Sequence, residues 1–384
     1  MTKSDAEQSY PTVPAVNKGE LPDPFAAAGG GRVASREDWP ARSRAWRDLV
    51  VETEYGGLPP KPESVGIETL CHSSIRAWPG APRLWTYRVT CRGGERTFSF
   101  CVKVVFPAGE GPFPAVIDGD RCWWYISDEV ARKVTESGCA LAMFNRTEMA
   151  EDLGYEGAPD RTARRGGLYD VYPGGTFGAL AAWAWGYQRC VDLLGGLPFI
   201  DGGRIAVTGH SRGGKAALLA GASDERITLV NDNASCAGGS AAFRYVGDGG
   251  ETLDILNSFP SWFGTGLRAY LGREEDMPFD QHCLLASVAP RPLLSTYALD
   301  DRWSNPEGMV QAMWAAGEVY RFLGAGDNLA FHLRPGGHTH SAADWGVLLD
   351  FIGWKWQGKE PTAAYNRHPY GHLKPAFSWK APGA

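Results

Sequence analysis

The stretch Val207-Thr208-Gly209-His210-Ser211-Arg212-Gly213-Gly214-Lys215-Ala216 constrains this chain more than any other part of it. It follows the apolar run Ile205-Ala206-Val207 and leads into Ala216-Ala217-Leu218-Leu219-Ala220, so the serine of a Gly-x-Ser-x-Gly motif falls between an expected strand and an expected helix. Glycines two before and two after Ser211 permit a sharp turn that exposes the hydroxyl at the strand's end. The helix that follows points its free N–H groups toward developing negative charge. A turn that merely contains serine has no need of the strand before it and the helix after it, and Ser211 is read as a candidate nucleophile.

The rest of the chain expects strands and helices in alternation. The first thirty or so residues, ending in Gly29-Gly30-Gly31, read as a poorly packed arm over 1–35, with a single domain from 36 to 384. A helix is expected near Arg36 to Val51, and antiparallel strands within about 65–106, where Phe98, Phe100, Val102 and Val104 alternate with polar neighbours. The catalytic core, about 113–356, reads as strands 113–117, 139–144, 204–208, 227–230, 292–298 and 329–333 with helices 127–137, 179–194 and 213–222 between them, followed by a C-terminal tail. Such an order predicts an α/β fold, a mostly parallel central sheet with helices on both faces in three layers.

Composition narrows the function classes. With 43% hydrophobic and 21% charged residues over 384 positions, the chain can bury a large core, and a net charge of −6 argues against nucleic acid as a partner. No run approaches the ~20 apolar residues of a membrane helix, and the polar start Met1-Thr2-Lys3-Ser4-Asp5 lacks the apolar core of a signal peptide, which leads to the expectation of a cytoplasmic protein. Eight scattered cysteines without Cys-x-x-Cys pairs indicate neither a metal site nor a dense disulfide framework.

A serine elbow needs a base, and in α/β-hydrolases the chain order is serine, acid, histidine. His338, in Gly336-Gly337-His338-Thr339-His340 after the last expected strand, is the first choice, and His340 is its competitor. His282, after Phe279-Asp280-Gln281, reads as capping or packing a helix, and His332 as a packed or surface histidine. The acid should follow the strand 292–298, where Asp300 and Asp301 stand; one of them orients the imidazole.

Taken with the block Tyr172-Pro173-Gly174-Gly175 to Trp185-Gly186, with Phe279-Asp280-Gln281-His282, Ala289-Pro290-Arg291-Pro292, Asp301-Arg302-Trp303 and Gly337-His338, the Gly-His-Ser-Arg-Gly-Gly-Lys segment resembles the glucuronoyl esterases of carbohydrate esterase family 15, the bacterial branch above all. The resemblance runs from about Phe113 to Trp356. It implies a serine esterase of the α/β-hydrolase fold, working without metal or cofactor on a small-molecule or oligosaccharide glucuronate ester of the xylan–lignin type. It further implies Ser211 as nucleophile, His338 as base, Arg212 at the oxyanion, and Lys215, Trp303 and Glu251 at the sugar. Ala234 stands where many members carry the acidic glutamate, so the Asp-x-Trp match assigns the acid to Asp301, with Asp232 as a third option. The rival readings are a related acetyl or small-acyl carbohydrate esterase and a non-catalytic sugar-binding relative.

Overall fold

Alternation of apolar and polar residues along strands and of apolar faces along helices builds the architecture seen in the computed structural model, which describes residues 15–26, 30–123, 126–153 and 160–383. In chain order the elements are β1 (Val16–Asn17), α1 (Trp39–Tyr55), β2 (Ser64–Ser74), β3 (Arg83–Gly93), β4 (Arg96–Phe106), β5 (Phe113–Asp118), α2 (Asp128–Glu136), β6 (Ala140–Phe144), α3 (Gly167–Val171) and α4 (Ala179–Gly195). Then follow β7 (Ile200–Thr208), α5 (Arg212–Ser223), β8 (Leu229–Asn233), β9 (Tyr245–Val246), α6 (Ile255–Ser258), α7 (Gln281–Val288), β10 (Leu293–Ala298), α8 (Pro306–Phe322), β11 (Leu329–Arg334) and α9 (Ala342–Gln357).

Nine strands form one sheet in the order β11-β10-β8-β7-β5-β6-β4-β3-β2. The part from β11 to β6 is parallel, and β4, β3 and β2 extend it antiparallel. Alternate strand residues feed two cores. Val116, Ala206, Leu294 and Ala330 join α2 and α9 on one face, while Ile117, Val207, Leu293 and Phe331 join α4, α5, α7 and α8 on the other. The expected three-layer α/β-hydrolase arrangement is thus present, with the ends of β5, β7, β8, β10 and β11 opening at one edge of the sheet.

Two expectations need correction. The arm is packed where it is described: Leu21 and Phe25 are fully buried, Val33 nearly so, and the Phe25 ring meets Phe322 at 5.3 Å and Trp379 at 6.3 Å. Leu21 N–H donates to Ala376 O and Trp379 Nε1 donates to Leu21 O, so the C-terminal tail clasps the arm. Residues 1–14 lie outside the described part. Second, β8 runs over Leu229–Asn233 rather than 227–230, because Asn231, Asp232 and Asn233 are buried and each finds side-chain partners within the sheet.

Candidate active site

The elbow forms where β7 delivers the chain into α5. Ser211 takes φ 54° and ψ −122°, a backbone conformation that a non-glycine residue holds only when its surroundings over-determine it. Those surroundings are identifiable. Ser211 N–H donates to Asn233 O at 2.7 Å, Gly213 N–H to His210 O at 2.8 Å, and His210 N–H to Asp120 Oδ2 at 2.6 Å. A Cβ added at Gly213 would come within 2.1 Å of Asp120 Oδ1, and one at Gly209 within 2.5 Å of Gly213 O, which is why these positions are glycine. Arg212 opens α5, where first-turn N–H groups have no intrahelical acceptor.

Asp120 was not among the sequence candidates, yet it braces the elbow from the end of β5. Arg146 Nε donates to its Oδ1 at 2.9 Å, and the Arg146 guanidinium is fully buried between the rings of Trp123 and Trp183, at 4.4 and 4.2 Å. His210 is held by Asn233, whose Oδ1 lies 2.6 Å from its Nδ1. Burial, with the neighbouring His338 and His340, pushes His210 down to about 2, so it is a neutral packing group under the site.

The loops after β10 and β11 supply the next groups. His338 Nδ1 lies 2.6 Å from Asp301 Oδ2, and its ring centroid is 4.4 Å from that of His210, the residue before the elbow serine. Asp301 is 5% exposed. Asp300 does different work: its Oδ2 accepts from Gly336 N–H at 2.8 Å and its own N–H donates to Gly336 O at 3.1 Å, tying the two loops together. The structure therefore brings Asp301, not Asp300, to the imidazole. His340 stacks on Trp345 at 5.1 Å, its charged form disfavoured by burial, and is not the histidine paired with an acid. Asp232 is sealed by the hydroxyls of Ser235, Ser240 and Ser295 at 2.5 to 2.6 Å, and cannot serve as the third option. His282 packs against the arm through Pro22 O, in keeping with its reading.

The three expected sugar-side residues also meet. Lys215 Nζ lies 2.8 Å from Glu251 Oε2 and donates to Ala237 O, and Glu251 N–H donates to Trp303 O at 2.8 Å. Lys215 is 1% and Glu251 3% exposed, so the two form a buried ion pair rather than a solvated one. Burial raises the Glu251 carboxyl against the opposing pull of Lys215. Trp303, by contrast, is 51% exposed beside Asp301, an aromatic face open to solvent. Arg212 answers its unfavourable position at a helix N-terminus with Asp152, whose two oxygens it meets at 3.0 and 3.1 Å, and with the Trp262 ring at 4.3 Å.

A strained serine at a strand–helix turn, beside a histidine locked to a buried aspartate, defines a serine hydrolase of the α/β-hydrolase class. The family profile described as Glucuronyl esterase, fungi, matches residues 89–324, more than half of the chain. The chain belongs to this glucuronoyl esterase family. It is 33% identical over 343 residues to 4-O-methyl-glucuronoyl methylesterase 1 of Wolfiporia cocos, covering 86% of this chain and 78% of that one. The carbohydrate esterase family 15 glucuronoyl esterase from Caldicellulosiruptor kristjansonii superposes with a TM-score of 0.79 at 31% identity, covering 95% and 98% of the two chains. A serine-to-alanine variant of the Sporotrichum thermophile glucuronoyl esterase, solved with methyl 4-O-methyl-β-D-glucopyranuronate, aligns at 27% identity and a TM-score of 0.72, covering 93% and 94%. All eight cysteines are free, and among the described residues no helix is long and apolar enough to cross a membrane.

Proposed function

We propose that this chain hydrolyses carboxylic esters of 4-O-methyl-glucuronate and related glucuronates, small or carried on an oligosaccharide, through an acyl-enzyme on Ser211. Ser211 Oγ attacks the ester carbonyl as His338 Nε2 takes its proton, and Asp301 fixes the imidazole tautomer through Nδ1. The oxyanion of the tetrahedral intermediate meets the Arg212 N–H at the head of α5, in the positive field of the helix end. Collapse releases the alcohol with the proton from His338, and water then repeats the sequence on the acyl-enzyme. The glucuronate ring packs on the open face of Trp303, above Glu251 and its partner Lys215.

The observation that carries this reading is the 2.6 Å contact between His338 and a buried Asp301 next to the elbow. It answers the loss of the acid at Ala234, which otherwise favours a non-catalytic relative. Hydrolysis of benzyl glucuronate is to be compared with that of an acetylated sugar, using the Ser211→Ala variant as control. The proposal expects a strong preference for the glucuronate ester and loss of both activities in the variant. Equal rates on the two substrates would reduce the protein to a general carbohydrate esterase, and a fully active variant would remove Ser211 from the mechanism.

A further inference from the structure

At the edge of the sheet opposite Ser211 lies a cavity of about 560 Å³ whose walls include Arg36, Arg44, Arg47, Arg291 and Trp39. Topology fixes its place: Glu225 precedes β8 and Arg291 precedes β10, whereas Ser211, Asp301 and His338 follow the far ends of β7, β10 and β11. The six residues of β10 alone separate the two edges by roughly 17 Å, at ~3.3 Å per residue. A small ester held at Ser211 does not reach this cavity.

A chain of net charge −6 has gathered four arginines around one space, with Glu225 as the acidic residue of the lining. Arg47 is paired with Asp48 at 3.1 Å, and Arg291 donates to the carbonyls of Ile227 and Asp224 at 2.6 and 3.2 Å. Arg36 and Arg44 make no side-chain hydrogen bond or ion pair with any described residue. α1 contributes Trp39, Pro40, Ser43, Arg44 and Arg47, so the cavity runs along the flank of that 17-residue helix from its start. Of the two carboxylates before α1, Glu37 and Asp38, the second is engaged elsewhere, Asp38 Oδ2 accepting from Ser35 N–H and Oγ at 2.9 and 3.0 Å. Two carbonyls beyond the nearby end of α7 are satisfied, Val288 O by Arg291 N–H and Pro290 O by Asn328 Nδ2.

We infer that this cavity binds a small multivalent oxyanion, a phosphorylated or polycarboxylated molecule held by the Arg36 and Arg44 guanidiniums over the start of α1. The two guanidiniums without a protein partner, Arg36 and Arg44, leave a monoanion under-matched, and the planar fork of arginine suits paired carboxylate or phosphate oxygens. The site stands independently of the chemistry at Ser211.

The test titrates the full chain calorimetrically with inorganic pyrophosphate and with citrate at fixed ionic strength, with acetate as the monoanion control. Saturable binding of at least one multivalent probe, about tenfold or more tighter than acetate, is expected. The Arg36→Ala/Arg44→Ala double variant, changed only at two exposed side chains, should weaken that binding by about tenfold or more while its melting temperature and ester hydrolysis stay as in the parent. Tighter pyrophosphate or tighter citrate both support the site and tell a phosphate source from a carboxylate one. No saturable binding, or equal affinity in parent and double variant, overturns the inference.

Discussion

Replacing Asp301 by Asn is the sharpest perturbation of the site. The carboxylate meets His338 Nδ1 at 2.6 Å, and its side chain is 3% exposed, so water is not at hand to take its place. An amide of the same shape can present its NH2 to Nδ1 and leave the proton on Nε2, the nitrogen that must accept from Ser211. In a serine triad of another fold that change costs ~10⁴-fold in turnover, equivalent to about 5.4 kcal/mol of transition-state stabilisation. The His338 side chain is 34% exposed and keeps some freedom to reorient, so the loss here is expected on the order of 10³- to 10⁴-fold. Steady-state kinetics on a methyl or benzyl glucuronate ester should show the loss in kcat with KM little changed. The melting temperature should hold, because the turn around Asp301 rests on main-chain bonds from Asp301 N–H to Ala298 O and from Ser304 N–H to Asp301 O. Asp300→Asn keeps an oxygen for Gly336 N–H and should cost less than about tenfold. Damage from Asp300→Asn together with near silence from Asp301→Asn would refute the assignment.

Three further outcomes follow from the same geometry. Lys215→Met strands the buried Glu251 carboxylate and should lower stability by ~3–5 kcal/mol, while the Lys215→Met/Glu251→Gln double variant recovers part of the melting temperature. In both variants, glucuronate esters should lose more rate than acetate esters. Trp303→Ala, at a half-exposed position, should raise KM for glucuronate esters with little change in melting temperature, and unchanged KM would remove the ring from the sugar site. Glu54 is fully buried, which pushes its carboxyl up to about 8 despite the hydrogen bond from Gln281 Nε2. The folded state therefore holds a proton that the unfolded chain releases near 4.5, and stability is lost as pH rises from that value through 8. Glu54→Gln cannot ionise, so its stability relative to the parent should grow by about a few kcal/mol between about pH 5 and pH 9, read from melting temperatures.

The residues legible in the sequence were those whose chemistry depends on spacing. The elbow announces itself through glycines two residues either side of Ser211, and His338 through its place after an apolar run, whereas position alone left Asp300 and Asp301 open and the Asp-x-Trp match of the family resemblance chose Asp301. What stayed hidden is held by single residues far apart in the chain. Asp120 and Arg146 brace the elbow without any periodic signature, although an acid directly after the strand at 113–118 was a signal within reach. Asn231, Asp232 and Asn233 ended the apolar run and so shortened β8 by hydropathy, whereas the sheet pairs and buries all three. The arm looked unpacked because Pro, Gly and Ala dominate it; the two residues that anchor it, Leu21 and Phe25, find their partners some three hundred residues later. The helices at 306–322 and 342–357 escaped notice since α8 is buried around most of its circumference and offers no clean apolar stripe.

The neighbourhood of β8, β10 and β11 also bears on how the imidazole is held. Three adjacent parallel strands end in loops carrying Ala234, Asp301 and His338 in turn. The position that the family resemblance gives to a glutamate therefore follows the strand next to the one that leads to the aspartate. Ala234, buried and at a left-handed φ of 45°, has no carboxylate to offer. The orientation of the His338 ring therefore hangs on the single loop after β10, through Asp301.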